Sequence, residues 1–545
     1  MKPVGSKTIR LAFCFGFMFI LSLSGCGGGD NKSTSSPVSN PIATVFLAKE
    51  DTATGTQLYG SSLDGTSIVK LSGNLVSGGN VVDFAMSPDG RFVAYLADQE
   101  TKGQFELYTV PVGGGTVINI SRQSGTILEV KEFAWAPNSS RIAFRAFNPF
   151  TGNTGGNIEL LTNLTSGNSL VTVSNFLPVG ANVDTFEWSP TSQLIAYTAN
   201  TIVGSSRQFR LFAAPPNLEN RAYPISNIPA ATNTYTIGEY QWAPNGSIVA
   251  FLADINILGV NELLVVLPDL NSSNPVAISG TLVDGGEVVD FSWAPNNSRI
   301  AYIADQFEDE KFDLITVVPD VNSLIPDPDP QVVSRNIIGD VIGFAWSPGS
   351  TRLAYIADGD TLDLFELYTN VPFGTSQFKV SGDLTVGGEV TAFAWAPDSS
   401  VIAYQASQER SNIFELFTSN PSNPIQNVKV SGSLTSTSGG LRNFAAFGWA
   451  PDSSRVAYIA RQATDFYELY SSTPDGATNN SVVSGPLVSG GNVDSFKWSP
   501  DSSRVAYLAD QDTINVPELY SSQSDGSDNV KISSGKAEDI YDWVP

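Results

Sequence analysis

Once in most repeats of about 50 residues, the chain sets a carboxylate just ahead of an aromatic or methionine landmark. These acids are Asp83, Glu132, Asp184, Glu239, Asp290 and Asp494. Carboxylates accept hydrogen bonds, hold hard cations and move protons, and little else in the chain competes for such work. Histidine is absent, which removes Ser-His-Asp hydrolysis, histidine-ligated zinc and any imidazole general base. The two cysteines, Cys14 and Cys26, both lie in the N-terminal segment. The body of the chain therefore has no disulfide, thiol nucleophile or thiolate metal site. On an innermost strand, the six acids would rim a central opening as a weak cation or basic-peptide site. Solvated loop acids are the plainer account of the same residues.

Two further sets of acids recur. One closes an R-[IV]-A-Y-[IL]-A-D run at Asp98, Asp254, Asp305, Asp358 and Asp510. The short clusters Asp358/Asp360/Asp363 and Asp510/Asp512 offer oxygen ligands for calcium, the one cofactor the sequence leaves open. None has the full spacing of a calcium loop, and Asp capping a turn through backbone N–H groups explains them more simply. The other set opens an [FY]-E-L-[YF] run, from Glu106 to Glu518, and an arginine such as Arg141, Arg352 or Arg504 opens the run before it. Cross-strand ion pairs between these neighbouring runs are expected.

The elements that must position these residues are short β-strands. Each repeat holds four runs separated by turn residues: A, F-x-W-[SA]-P; B, R-[IV]-A-Y-[IL]-A-D; C, [FY]-E-L-[YF]; and D, V-x-[IV]-S. All nine tryptophans occupy the run A landmark, from Trp135 to Trp543, and Met86 fills the first copy. In F-x-W the large residues share one face and the small ones the other, which lets adjacent sheets nest. Asp-Gly, Asn-Gly, Asp-Ser or Asn-Ser follows most run A prolines and favours a tight hairpin.

The phase at the two ends predicts closure. The repeats start in run B, at ATVFLAKE, and stop after a lone run A, Tyr541–Pro545. One blade is thus split between the ends, as in a β-propeller, which leaves no open ring edge. The expected fold is all-β: a single ring of about ten four-stranded blades over residues 42–545, with two smaller propellers as the alternative. The pattern F-x-W-S-P-D-x…[IV]-A-Y resembles the blades of TolB-like propellers across this whole span. That resemblance implies a fold and no particular activity.

Residues 1–25 read as a secretory signal: Lys2, Lys7 and Arg10 precede the apolar run from Leu11 to Leu21. Leu23-Ser24-Gly25-Cys26 resembles the lipobox of bacterial lipoproteins. The resemblance implies that Cys26 becomes an acylated N-terminus and that Gly27 directs the protein to the outer membrane. An ordinary signal peptide is the alternative. Residues 26–41 would then be the lipidated cysteine and a Gly/Ser/Pro tether, reaching roughly 20 Å as a flexible coil.

The formal charge is -25, and loss of residues 1–25 leaves 26 basic against 54 acidic groups. Such a surface repels phosphate backbones, so nucleic acid is not an expected partner. No Gly-rich phosphate loop or dinucleotide fingerprint occurs. The function expected is that of a non-enzymatic envelope scaffold, held to the membrane by lipid alone. Its partner is an envelope protein or glycan, met by the loops and the channel mouth. The irregular insertions at 148–157, 218–236 and 322–331 are candidate contact loops. Carbohydrate binding or turnover by channel carboxylates, and a purely architectural role, are the alternatives.

Overall fold

The computed structural model describes residues 41–545, apart from 50–54, 123–127, 150–155, 175–176, 178–179, 204–205, 227–234, 270–273, 322–329, 412, 425–426, 435–443, 463–465, 479 and 534. Cys26, residues 1–25 and most of the three insertions lie outside the described residues. The described chain forms ten four-stranded antiparallel sheets. Blade 2 shows the plan: strand A is Val81–Met86, B is Phe92–Ala97, C is Glu106–Pro111 and D is Ile118–Asn119. Blades 3 to 10 repeat it in chain order.

Blade 1 is composite. Ile42–Lys49, Gln57–Ser62 and Ile68–Lys70 supply strands B, C and D, and the last strand, Lys536–Trp543, takes place A. Phe46 pairs with Tyr541 and Thr44 with Trp543. The split blade read from the sequence is therefore the closing blade of the ring.

Strand B shows why the sheets stack. Val93, Tyr95 and Ala97 pack in one cluster with blade 1, whereas Ala94 and Leu96 pack in the next with blade 3. A period of two thus buries both faces, as a strand between two sheets requires. Ten such clusters each join two adjacent blades. One unites Phe46 and Tyr59 of blade 1 with Ala506 and Leu519 of blade 10. No boundary is skipped, so the molecule is one ten-bladed β-propeller and not two smaller rings.

Three polar devices recur. The serine ending run D accepts the strand C backbone N–H in all ten blades, as in Ser121 Oγ to Leu107 N (3.0 Å) and Ser533 Oγ to Leu519 N (2.8 Å). It pins a strand of only two or three residues. In most A–B hairpins a serine in left-handed backbone, such as Ser453 at φ 65°, takes a backbone N–H from the preceding blade. For Ser453 that donor is Asp398 N, at 3.0 Å. Third, eight of the nine indole N–H groups donate to the carbonyl one residue before the landmark of the preceding blade. Trp293 is the exception, its Nε1 buried without a partner.

Candidate functional site: the inner wall of the ring

The indole bonds identify strand A as the inner edge, because neighbouring A strands come close enough to be linked. In blade 4, strand A (Val183–Trp188) turns Trp188 and Phe186 back onto blade 3. Alternation then aims Thr185 and Glu187 forward, and Thr185 Oγ1 lies 3.1 Å from Tyr240 Oη of blade 5.

A β-bulge divides the six acids singled out from the sequence. Strand A carries an extra residue against strand B just before this forward-facing pair. Asp83, Glu132, Glu239 and Asp290 stand three residues before the landmark and share one register. Asp184 and Asp494 fall one residue earlier, on the bulge. All six lie on the inner strands, as expected, but they do not form one ring of equivalent groups.

Their surroundings differ. Glu132 is paired with Arg145 at 2.8 Å, and Arg145 also donates to Val183 O at 3.1 Å, tying blade 3 to blade 4. Gln241 Nε2 donates to Glu239 at 2.7 Å and to Phe291 O at 3.0 Å. Enclosure within the ring, with a smaller push from Glu239, raises the Asp290 carboxyl to about 6. Enclosure also raises Asp83, and raises Asp494 with added repulsion from Asp510 and Asp539.

Glu187 belongs to this group, although it does not recur from blade to blade. Its side chain is open to the channel, yet the ring crowds it with protein. That enclosure, reinforced by Glu239, pushes the carboxyl up to about 7 against an opposing backbone bond from Trp242. The signal was present: the x of F-x-W is alanine, glycine or serine in most blades but glutamate here.

The inner wall is uneven. Blades 3 to 6 contribute Glu132, Asp184, Glu187, Glu239 and Asp290. Strands A of blades 7 to 9, VIGFAW, VTAFAW and FAAFGW, carry no ionisable residue. Blades 10 and 1 mix signs, with Lys497 Nζ 2.7 Å from Tyr541 O and 3.7 Å from Asp542. Round the ring, an acidic arc is thus followed by a neutral one.

The calcium candidates act otherwise. Asp358 is buried and accepts backbone N–H groups from Asp340 and, at 3.1 Å, from Asp363. It clamps the D–A loop to the B–C turn, and Asp98 and Asp254 do the same. Asp360 and Asp512 are exposed, near Lys379 (3.9 Å) and Lys531 (2.9 Å). Asp510 accepts Asn515 N at 3.1 Å. Among the described residues no three acids, cysteines or histidines are grouped to hold a metal ion.

Register does not set the expected B-to-C ion pairs opposite one another among the described residues. Register places Glu106 opposite Ala97 and Glu366 opposite Ala357, at the far end of the hairpin from the arginines. Arg141, Arg299 and Arg504 instead donate to Thr162, Thr316 and Ser521 hydroxyls. The glutamates pair across strand D: Glu106 with Arg122 (3.1 Å), Glu415 with Lys429 (2.6 Å), Glu518 with Lys531 (2.5 Å) and Glu366 with Lys379.

No family model matches the chain, and no curated protein matches it. Among solved structures, a eukaryotic initiation factor aligns at a TM-score of 0.49 and 11% identity, covering 92% of this chain and 99% of that one. An oligogalacturonate lyase in complex with manganese aligns at 0.34 and 13% identity, covering 72% and 97%. A putative TolB from Agrobacterium tumefaciens aligns at 0.28 and 10% identity, covering 45% and 79%.

Proposed function

We propose that the protein is a non-enzymatic binding scaffold of a bacterial cell envelope, tethered through acylated Cys26. Its acidic arc takes the cationic groups of a protein partner. One observation carries the binding reading: Glu187, Glu239 and Asp290 stand on successive inner strands, and enclosure in the wall, with added repulsion from Glu239, raises the carboxyls of Glu187 and Asp290. Like charges held together in an enclosed wall are stabilised by a cation more than isolated surface acids are. The neutral blades 7 to 9 confine that attraction to one side of the ring.

Fluorescence anisotropy of a labelled nona-lysine peptide tests the arc at low salt. Glu187→Gln, Glu239→Gln and Asp290→Asn together are expected to weaken binding at least tenfold, while Asp525→Asn on a far hairpin leaves it unchanged. Equal affinity of the triple variant and the parent would overturn the reading. The anchor has its own test: labelled palmitate should enter the protein in cells and fail to enter Cys26→Ser.

A further inference from the structure

The two ends of the ring differ. A–B and C–D hairpins share one face, and D–A loops and B–C turns share the other. On the second face, successive blades expose large apolar side chains at their tips. Blade 5 shows Ile257 (58% exposed) and Leu258 (54%), and blade 6 shows Phe307 (51%). Blade 7 adds Ile338 (55%) and Leu362 (63%), and blade 8 adds Val386 (96%). These side chains do not complete any of the ten inter-blade clusters, so packing does not explain them.

Acids alternate with them along the same turns. Glu308, Asp309 and Glu310 follow Phe307 directly, and Asp360 and Asp363 flank Leu362. Asp383 and Glu389 flank Val386. All seven are exposed. The turns themselves are firmly held, because Asp254, Asp305 and Asp358 clamp each one by its backbone. A fixed row of apolar tips among acids is a preformed surface, and preorganisation lowers the cost of binding.

We infer that the D–A/B–C face of blades 5 to 8 docks a basic amphipathic segment of a protein partner, with aliphatic or aromatic anchors between lysines or arginines. Charge complementarity selects the occupant: the apolar tips demand burial, and the acids around them demand cations. A second copy of this chain carries the same acidic face and would be repelled. An anionic membrane would be repelled too. The chain also enters the ring at Ile42, the start of strand B, so the docking face is the one away from this point of entry. This site uses residues distinct from the acidic arc, so it stands or falls separately.

The experiment compares two labelled peptides on the purified full chain: an amphipathic leucine–lysine 18-mer, and a serine–lysine 18-mer of equal charge. The leucine peptide is expected to bind at least tenfold more tightly. Leu258→Ser, Phe307→Ser and Leu362→Ser combined should abolish that preference and leave nona-lysine binding at the arc intact. Leu63→Ser with Val318→Ser, on the other face, should change neither. These positions are exposed, so the variants fold, and an unchanged melting temperature verifies it. Equal binding of both peptides, or an undiminished preference in the triple variant, overturns the proposal. Loss of nona-lysine binding alone, in the arc variant, would leave it standing.

Discussion

Replacing Trp346 by phenylalanine isolates the contribution of one indole bond between blades. Trp346 Nε1 donates to Ser292 O at 3.1 Å, whereas Trp293, one blade earlier, holds the same register with no acceptor. Their exposures are 8% and 6%, so the apolar loss on truncation to phenylalanine is matched. The difference between Trp346→Phe and Trp293→Phe is then at least the net value of one hydrogen bond, about 1 kcal/mol, because Trp293→Phe also removes a buried N–H without a partner. For a body of about 500 residues, the unfolding entropy near the midpoint is on the order of 1 kcal/mol/K. The melting temperature of Trp346→Phe should therefore lie at least about 1 °C below that of Trp293→Phe, a gap that differential scanning calorimetry resolves. Across eight such bonds the latch is worth roughly 8 kcal/mol to ring closure, comparable with the whole stability of an ordinary domain. Equal shifts for the two variants would refute the latch and leave tryptophan as a packing residue only.

Ser453→Ala keeps the left-handed strain already present at φ 65° and loses the hydroxyl that takes Asp398 N–H, costing about 1 kcal/mol, whereas Ser453→Gly also relieves about 1 kcal/mol of that strain and should melt close to wild type. Asp358→Ala strands two backbone N–H groups and should cost about 2–4 kcal/mol, with the same loss in calcium and in chelator. A calcium-dependent melting temperature that Asp360→Asn and Asp363→Asn abolish would return that site to metal binding. Glu187 binds protons more readily folded than unfolded, so between its unfolded value near 4.5 and about 7 its contribution makes stability fall as pH rises. Glu187→Gln should raise the melting temperature at pH 8 relative to wild type and leave it nearly unchanged at pH 4; a uniform shift at both would contradict the assignment.

Strands and closure were legible because packing writes them into composition. A tryptophan confined to one repeat position marks strand A, and strand B alternates Val93, Tyr95 and Ala97 with Ala94 and Leu96 because both faces are buried. Pairing of charges was not legible. Arg141 and Glu159 have the right signs on adjacent strands, but register sets Glu159 opposite Ala146, and only coordinates fix register. The same limit hid the split among the six acids, since one bulged residue moves Asp184 off the register of Asp290. Glu187 was not legible for a different reason: it departs from the repeat, so no recurrence marks it.

That departure has a physical cause. The indole latch engages the backbone carbonyl at the x position of F-x-W, so the side chain there carries no share of the bond. It can be Ala134, Glu187, Ser292 or Gly448 while the carbonyl still accepts the next tryptophan. Blade 5 is where this separation fails. Gln241 occupies the x position, its amide takes Phe291 O at 3.0 Å, and the Trp293 indole facing it has no partner. Gln241→Ala deletes two side-chain bonds, which alone should cost about 1–3 kcal/mol. If the glutamine side chain displaces the latch, its removal lets Trp293 donate to Gln241 O, the x-position carbonyl of the preceding blade, and returns about 1 kcal/mol. In the Trp293→Phe background that recovery is impossible, so Gln241→Ala should cost about 1 kcal/mol more there than in wild type. Calorimetry of the four proteins of this cycle measures the coupling. Simple additivity would show that Gln241 and Trp293 are independent, and that the inner wall gained its polar side chains without any cost to closure.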